Sequence, residues 1–96
     1  AQEGHPWIAP DESFLIFSSN YGTANPNDYD LYLSRKSNQD KWETPRNLGS
    51  KINTSAQELY PVLSPDQNYL FFLRSQSSGL GVYWVDFQSV LAELEN

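Results

Sequence analysis

Residues 8–17 read IAPDESFLIF, and residues 63–72 read LSPDQNYLFF. The two stretches share Pro10/Pro65, Asp11/Asp66, Leu15/Leu70 and Phe17/Phe72 in register, and Pro6/Pro61 and Glu3/Glu58 fall at the same offset of 55 residues. A fixed offset carrying this many matches is an internal repeat, and it decides how the rest of the chain is read. Within each copy, Pro-Asp separates two apolar, ring-rich runs. Pro fixes φ and the Asp carboxylate can accept hydrogen bonds from the following backbone, so each copy predicts a strand, a tight turn and a second strand.

Working outward, residues 5–9 and 14–18 are the first two strands, 29–34 a third, and 42–48 a fourth on an outer edge where Pro45 is tolerated. The polar stretch SNYGTANPND (19–28) is a long loop. The second copy repeats the plan with strands at 59–63, 69–74 and 82–85, and a shorter loop, SQSSGLG, at 75–81. Tyr83 takes the place of Tyr32. The period then changes: Asp86 can cap a helix in which Phe87, Val90, Leu91 and Leu94 recur at helical spacing. The tally is an all-β chain of two antiparallel units of about four strands, seven strands in all, closed by a short C-terminal helix. Blade-like unit one covers about 3–50, unit two about 56–86, and the helix about 87–95, within a single domain.

Two in-register units of this kind are what consecutive blades of a β-propeller look like. The elements HPWIAPDESFLIF and YPVLSPDQNYLFF resemble the Pro-Asp, WD-like repeat of the TolB-type β-propellers, and the linker WETPRNLGSKINTSAQELYPVLSPD is similar to the inter-blade segment of bacterial members. The family usually has Gly after Pro-Asp, where this chain has Glu12 and Gln67. The resemblance implies propeller-type blades and a non-catalytic binding platform; the alternative is a subdomain of a carbohydrate-active or peptidase-type enzyme, since propeller blades also accompany such enzymes. Complete propellers have about four to eight blades. Two blades imply a longer ring, a ring completed by identical chains, or a pair capped by the helix and the N-terminal arm.

Composition narrows the partners. With 12 acidic and 6 basic side chains in 96 residues, the net charge of −6 repels phosphate backbones and anionic lipid heads, so nucleic acid is not an expected partner. The apolar run Leu70-Phe71-Phe72-Leu73 is far short of the roughly 20 residues of a membrane helix, so no insertion is expected. Cys is absent, which removes thiolate chemistry and the usual zinc sites. Met is absent as well, which points to a start upstream of Ala1. The opening AQEGHPW fits the end of a cleaved export signal or an arbitrary boundary, and export to the periplasm or the exterior is the reading adopted.

Candidate sites divide into turn formers and loop ligands. Asp11 and Asp66 are carboxylates of the kind glycosidases pair, but as repeat equivalents they belong to separate turns, with Pro10 and Pro65. His5 is the only imidazole; its counterpart is Tyr60, which favours a packing ring over a base. The segment Asn25-Pro26-Asn27-Asp28-Tyr29-Asp30 gathers oxygen ligands suited to calcium without EF-hand spacing. With Tyr21 it forms the candidate contact region for a protein or carbohydrate ligand: Tyr21, Asn25, Asn27, Asp28 and Asp30. No cofactor is expected beyond that calcium. Trp7, Trp42, Trp84, Tyr32, Tyr60, Tyr69 and Tyr83 are read as packing rings. Arg35, Lys36, Lys41 and Arg46 are read as a solvated basic face.

Overall fold

The computed structural model describes residues 3–20, 28–49, 52–54, 56–76 and 78–94. Seven strands and a helix follow in order: β1 (Glu3–Ile8), β2 (Phe14–Ser19), β3 (Asp30–Arg35), β4 (Arg46–Asn47), β5 (Gln57–Leu63), β6 (Tyr69–Gln76), β7 (Gly79–Asp86) and α1 (Phe87–Leu94). They form two antiparallel sheets, β1-β2-β3-β4 and β5-β6-β7.

The repeat of the sequence is a repeat of backbone geometry. In the first turn Glu12 N–H donates to Ala9 O at 2.8 Å, and in the second Gln67 N–H donates to Ser64 O at 2.8 Å. The carboxylate of Asp11 accepts from Ser13 N at 3.0 Å, and that of Asp66 from Asn68 N at 3.0 Å. Both turns end on a left-handed residue, Glu12 at φ 60° and Gln67 at φ 61°. These are the two positions where Gly was missed in the sequence, so the backbone keeps the glycine conformation at a steric cost of about 1–2 kcal/mol per residue. Each turn is also preceded by an irregularity in strand pairing, between Gly4 and Trp7 and between Leu59 and Val62, again 55 residues apart. Pro6 and Pro61 fall inside these bulges, where their missing N–H removes no ladder bond. The ring pairs recur too: Phe17 stacks on Tyr32 at 6.1 Å, and Phe72 on Tyr83 at 6.0 Å.

The two sheets lie face to face. One core joins Ile16, Leu31 and Leu33 of the first sheet to Leu63, Leu70 and Phe72 of the second, with Leu48 and Ile52 from the connection and Phe87 and Val90 from α1. Trp7, Phe14, Tyr83 and Val85 pack against this cluster. α1 closes one end. Asp86 caps it, accepting from Gln88 N at 3.0 Å and Ser89 N at 3.3 Å, as the sequence predicts. Its buried Phe87 stacks on Phe14 of the first sheet at 6.1 Å, and Gln88 Nε2 donates to Gln67 O of the second turn at 3.0 Å.

The seven strands divide four and three, as the strand positions read from the sequence imply, because the chain turns into α1 where the first unit adds β4; the idea of two equal four-stranded units gives way, and two further expectations are corrected. The loop expected at 75–81 is a tight hairpin, in which β6 and β7 pair as far as Gln76 and Gly79. Gly79, at φ 131°, supplies a backbone conformation that L side chains rarely adopt. The strand expected at 42–48 shrinks to Arg46–Asn47 plus a bridge between Lys36 and Trp42, since the Ser34 hydroxyl takes the Glu43 carbonyl at 2.6 Å.

Candidate functional site

Asp11 and Asp66 serve the turns. The hydroxyl and N–H of Ser13 hold Asp11 below the ordinary carboxylate range, and the Ser64 hydroxyl with the Asn68 N–H does the same for Asp66. Each carboxylate is committed to its own turn, with Ser13 Oγ and Ser64 Oγ each donating at 2.6 Å. Pro10 and Pro65 stand exposed at the turn corners.

The polar chemistry gathers at the seam between the sheets. Glu58 on β5 is fully buried. Its Oε2 accepts from Arg74 Nε at 3.1 Å and from Thr54 Oγ1 at 2.8 Å, while Oε1 accepts from Thr54 N at 2.9 Å. Arg74 donates further to Ile52 O at 2.7 Å and lies 4.5 Å over the Tyr83 ring. A buried carboxylate this well paired ties strand to connection. Beside it, Asn53 Oδ1 accepts from Leu31 N at 2.7 Å and Asn53 Nδ2 donates to Leu31 O at 2.9 Å, so a side-chain amide stands in for a strand partner at the edge of β3.

Asp30 sits at the start of β3 next to this knot. Burial pushes its carboxyl up to about 7, and the neighbouring Asp28 and Glu58 carboxylates add to the effect, against the Asn47 amide that donates to it at 3.3 Å. Among the described residues, Oδ1 of Asp28 and Oδ1 of Asp30 are buried without a hydrogen-bond partner. Asp30 can therefore exchange a proton near neutrality. Among the described residues no cluster of three or more His, Cys, Asp or Glu side chains could hold a metal ion. Tyr21, Asn25 and Asn27 lie outside the described residues, so of the five loop ligands the structure places Asp28 and Asp30 only. His5 is on β1, and its side chain lies outside the described residues as well.

The rings divide. Tyr32 is buried, and Trp7 and Tyr83 pack on the core as the sequence predicts. Trp42, Tyr60, Tyr69 and Trp84 do not: they are exposed, Trp84 by 62 %. Trp84 pairs with Phe71 across β6 and β7, Phe71 pairs with Val62 across β5 and β6, and Val82 pairs with Leu73. These side chains share the face of the second sheet turned away from the core, where Val62, Tyr69, Phe71, Leu80, Val82 and Trp84 are all exposed. The signal was present in Leu70-Phe71-Phe72-Leu73, since a strand with apolar residues at every position is suited to burial on both faces. The basic residues behave as read: Arg35, Lys41 and Arg46 are exposed, and Lys36 lies 5.5 Å over the Trp42 ring. No helix among the described residues is long and apolar enough to cross a membrane.

No family model matches the chain, and no curated protein matches it.

Proposed function

We propose that the chain is a non-catalytic interaction module built from two TolB-like propeller blades, and that the open face of its second sheet is the contact surface. The observation that carries this reading is the continuous row Val62, Phe71, Trp84 flanked by Tyr69, Val82 and Leu80, exposed on a regular sheet. Contiguous apolar surface of this extent on a folded chain marks a contact site, and rigid aromatic side chains supply contact area at low entropic cost. The blade reading draws support from the turns, bulges and ring pairs that recur at a fixed offset. The partner classes it favours are proteins and carbohydrates, both of which stack well on exposed rings.

Peptide and glycan arrays probed with the purified chain test this. Saturable binding that is lost in Trp84→Lys and kept in Asp30→Asn is the expected result. A second reading, in which the two blades belong to a carbohydrate-active or peptidase-type enzyme, draws on Asp30, whose carboxyl can act as an acid or base near neutrality. Hydrolysis of a model glycoside or peptide that is abolished by Asp30→Asn and untouched by Trp84→Lys would favour that reading and contradict the first.

A further inference from the structure

The open face of the second sheet has a counterpart inside the molecule. Applying the repeat offset, 55 residues for the first two strands of each unit and 51 for the third, Val62, Tyr69 and Phe71 correspond to Trp7, Phe14 and Ile16, while Val82 and Trp84 correspond to Leu31 and Leu33. Those five residues of the first sheet form the side that packs against the second sheet. The converse also holds. Leu63, Leu70, Phe72 and Tyr83, the side of the second sheet that packs inward, correspond to Ile8, Leu15, Phe17 and Tyr32. On the first sheet Ile8, Leu15 and Phe17 point away from that cluster, Ile8 51 % exposed and Leu15 and Phe17 half-buried around an apolar hollow of about 280 Å³ with Gly4 and Pro6, while Tyr32 beside them is buried. The molecule thus ends in two different apolar faces, and each is the repeat equivalent of a face that is already matched to the other inside it.

We infer that a second copy of this chain docks head to tail, its first sheet covering Val62, Phe71, Val82 and Trp84 through Ile8, Leu15 and Phe17, in continuation of the sheet-to-sheet packing within each chain. The second sheet offers the area: its six exposed apolar residues present roughly 700 Å², close to the about 800 Å² that one partner contributes to a standard interface, and the first sheet offers Ile8 and the hollow at Leu15 and Phe17. The chemistry fits too, because ring and aliphatic side chains meet ring and aliphatic side chains, as they do in the internal seam. Such a contact is heterologous, so it leaves one free face of each kind until a ring closes. If the units are propeller blades, two to four chains give the four to eight blades of closed propellers. This inference rests on the proposed contact face and names its occupant.

The test uses mass in solution by light scattering coupled to size exclusion, on the wild-type chain and on two variants, Ile8→Lys on the first sheet and Trp84→Lys on the second. Circular dichroism checks that each is folded; Leu15→Lys and Val82→Lys are the second choices for the same two faces. The wild-type chain is expected at a discrete multiple of its monomer mass. Each variant alone is expected as a monomer, and an equimolar mixture is expected at twice the monomer mass, because one intact face of each kind remains for a single junction. A wild-type chain that stays monomeric up to hundreds of micromolar overturns the inference, and so does a mixture that fails to pair. If Ile8→Lys keeps the wild-type mass while Trp84→Lys does not, the contact joins two second sheets and head-to-tail docking is wrong. A monomeric wild-type chain that still binds array ligands through Trp84 would overturn this docking and leave the contact face itself standing.

Discussion

The two sheets begin from one plan and finish differently. Both have the Pro-Asp turn with a left-handed third position, a bulge around Pro, and a stacked Phe–Tyr pair. The first sheet adds β4 and ties its edge with Asn53, whereas the second stops at β7, turns into a capped helix, and buries the Glu58–Arg74 pair. At the positions of Glu58 and Arg74 the first unit has Glu3 and Ser19. The difference teaches that the turn and ring pair build the unit, while the residues outside that element decide what each unit can be joined to.

Breaking the ion pair should expose the contrast most strongly. Arg74→Ala leaves Glu58 buried and stripped of its charge partner, for an expected loss of about 3–5 kcal/mol in urea unfolding. Ser19→Ala, at the equivalent buried position, should cost only about 1 kcal/mol. Equal losses would mean that the two units are stabilised alike there. The ring pair gives the next contrast. Phe72→Ala removes a ring that is 2 % exposed and should cost about 3–4 kcal/mol, while the half-buried Phe17 should cost about half of that in dilute solution. Head-to-tail docking sharpens this prediction, since the cost of Phe17→Ala should then rise with chain concentration.

Asp30 provides a pH contrast within the first sheet. Its folded carboxyl is raised to about 7, so the folded state holds the proton more tightly than the unfolded chain does. The stability it contributes is full below the ordinary value near 3.8 and is lost as pH rises through about 7. Asp30→Asn should flatten that slope, raising the melting temperature at pH 8 and changing it little at pH 4; an unchanged slope would show that the carboxyl ionises normally. The smallest effects belong to the turns. Gln67→Gly and Glu12→Gly relieve a left-handed residue but loosen the unfolded chain, for a net gain of up to about 1 kcal/mol each in thermal unfolding. A loss at either position would show that the side chain matters more than the backbone strain.

The turns, the helix cap and the number of strands were legible because they rest on local chemistry: Pro-Asp fixes a turn and Asp86 fixes a helix start wherever they stand. The hairpin at Gln76 and Gly79 was missed because Ser and Gly serve tight hairpins and open loops alike, and only the pairing of two long strands selects between them. The buried pair was half visible. Glu58 stood out as the repeat equivalent of Glu3, but Arg74 at the end of an apolar run carried no sign that its charge would turn inward. The exposed rings were read as packing because composition does not say which face of a strand meets a neighbour. For Trp84 that needs its register against Phe71 and the knowledge that Leu70 and Phe72 already face the core.

Head-to-tail docking requires the two outward apolar faces to meet, and hydroxyl-radical footprinting read residue by residue across a dilution series tests this most directly. The expected result is that Phe71, Val82 and Trp84 on one sheet and Ile8, Leu15 and Phe17 on the other become protected together, with one concentration midpoint. Protection confined to one of the two faces, or reactivity that is the same at every concentration, would contradict it.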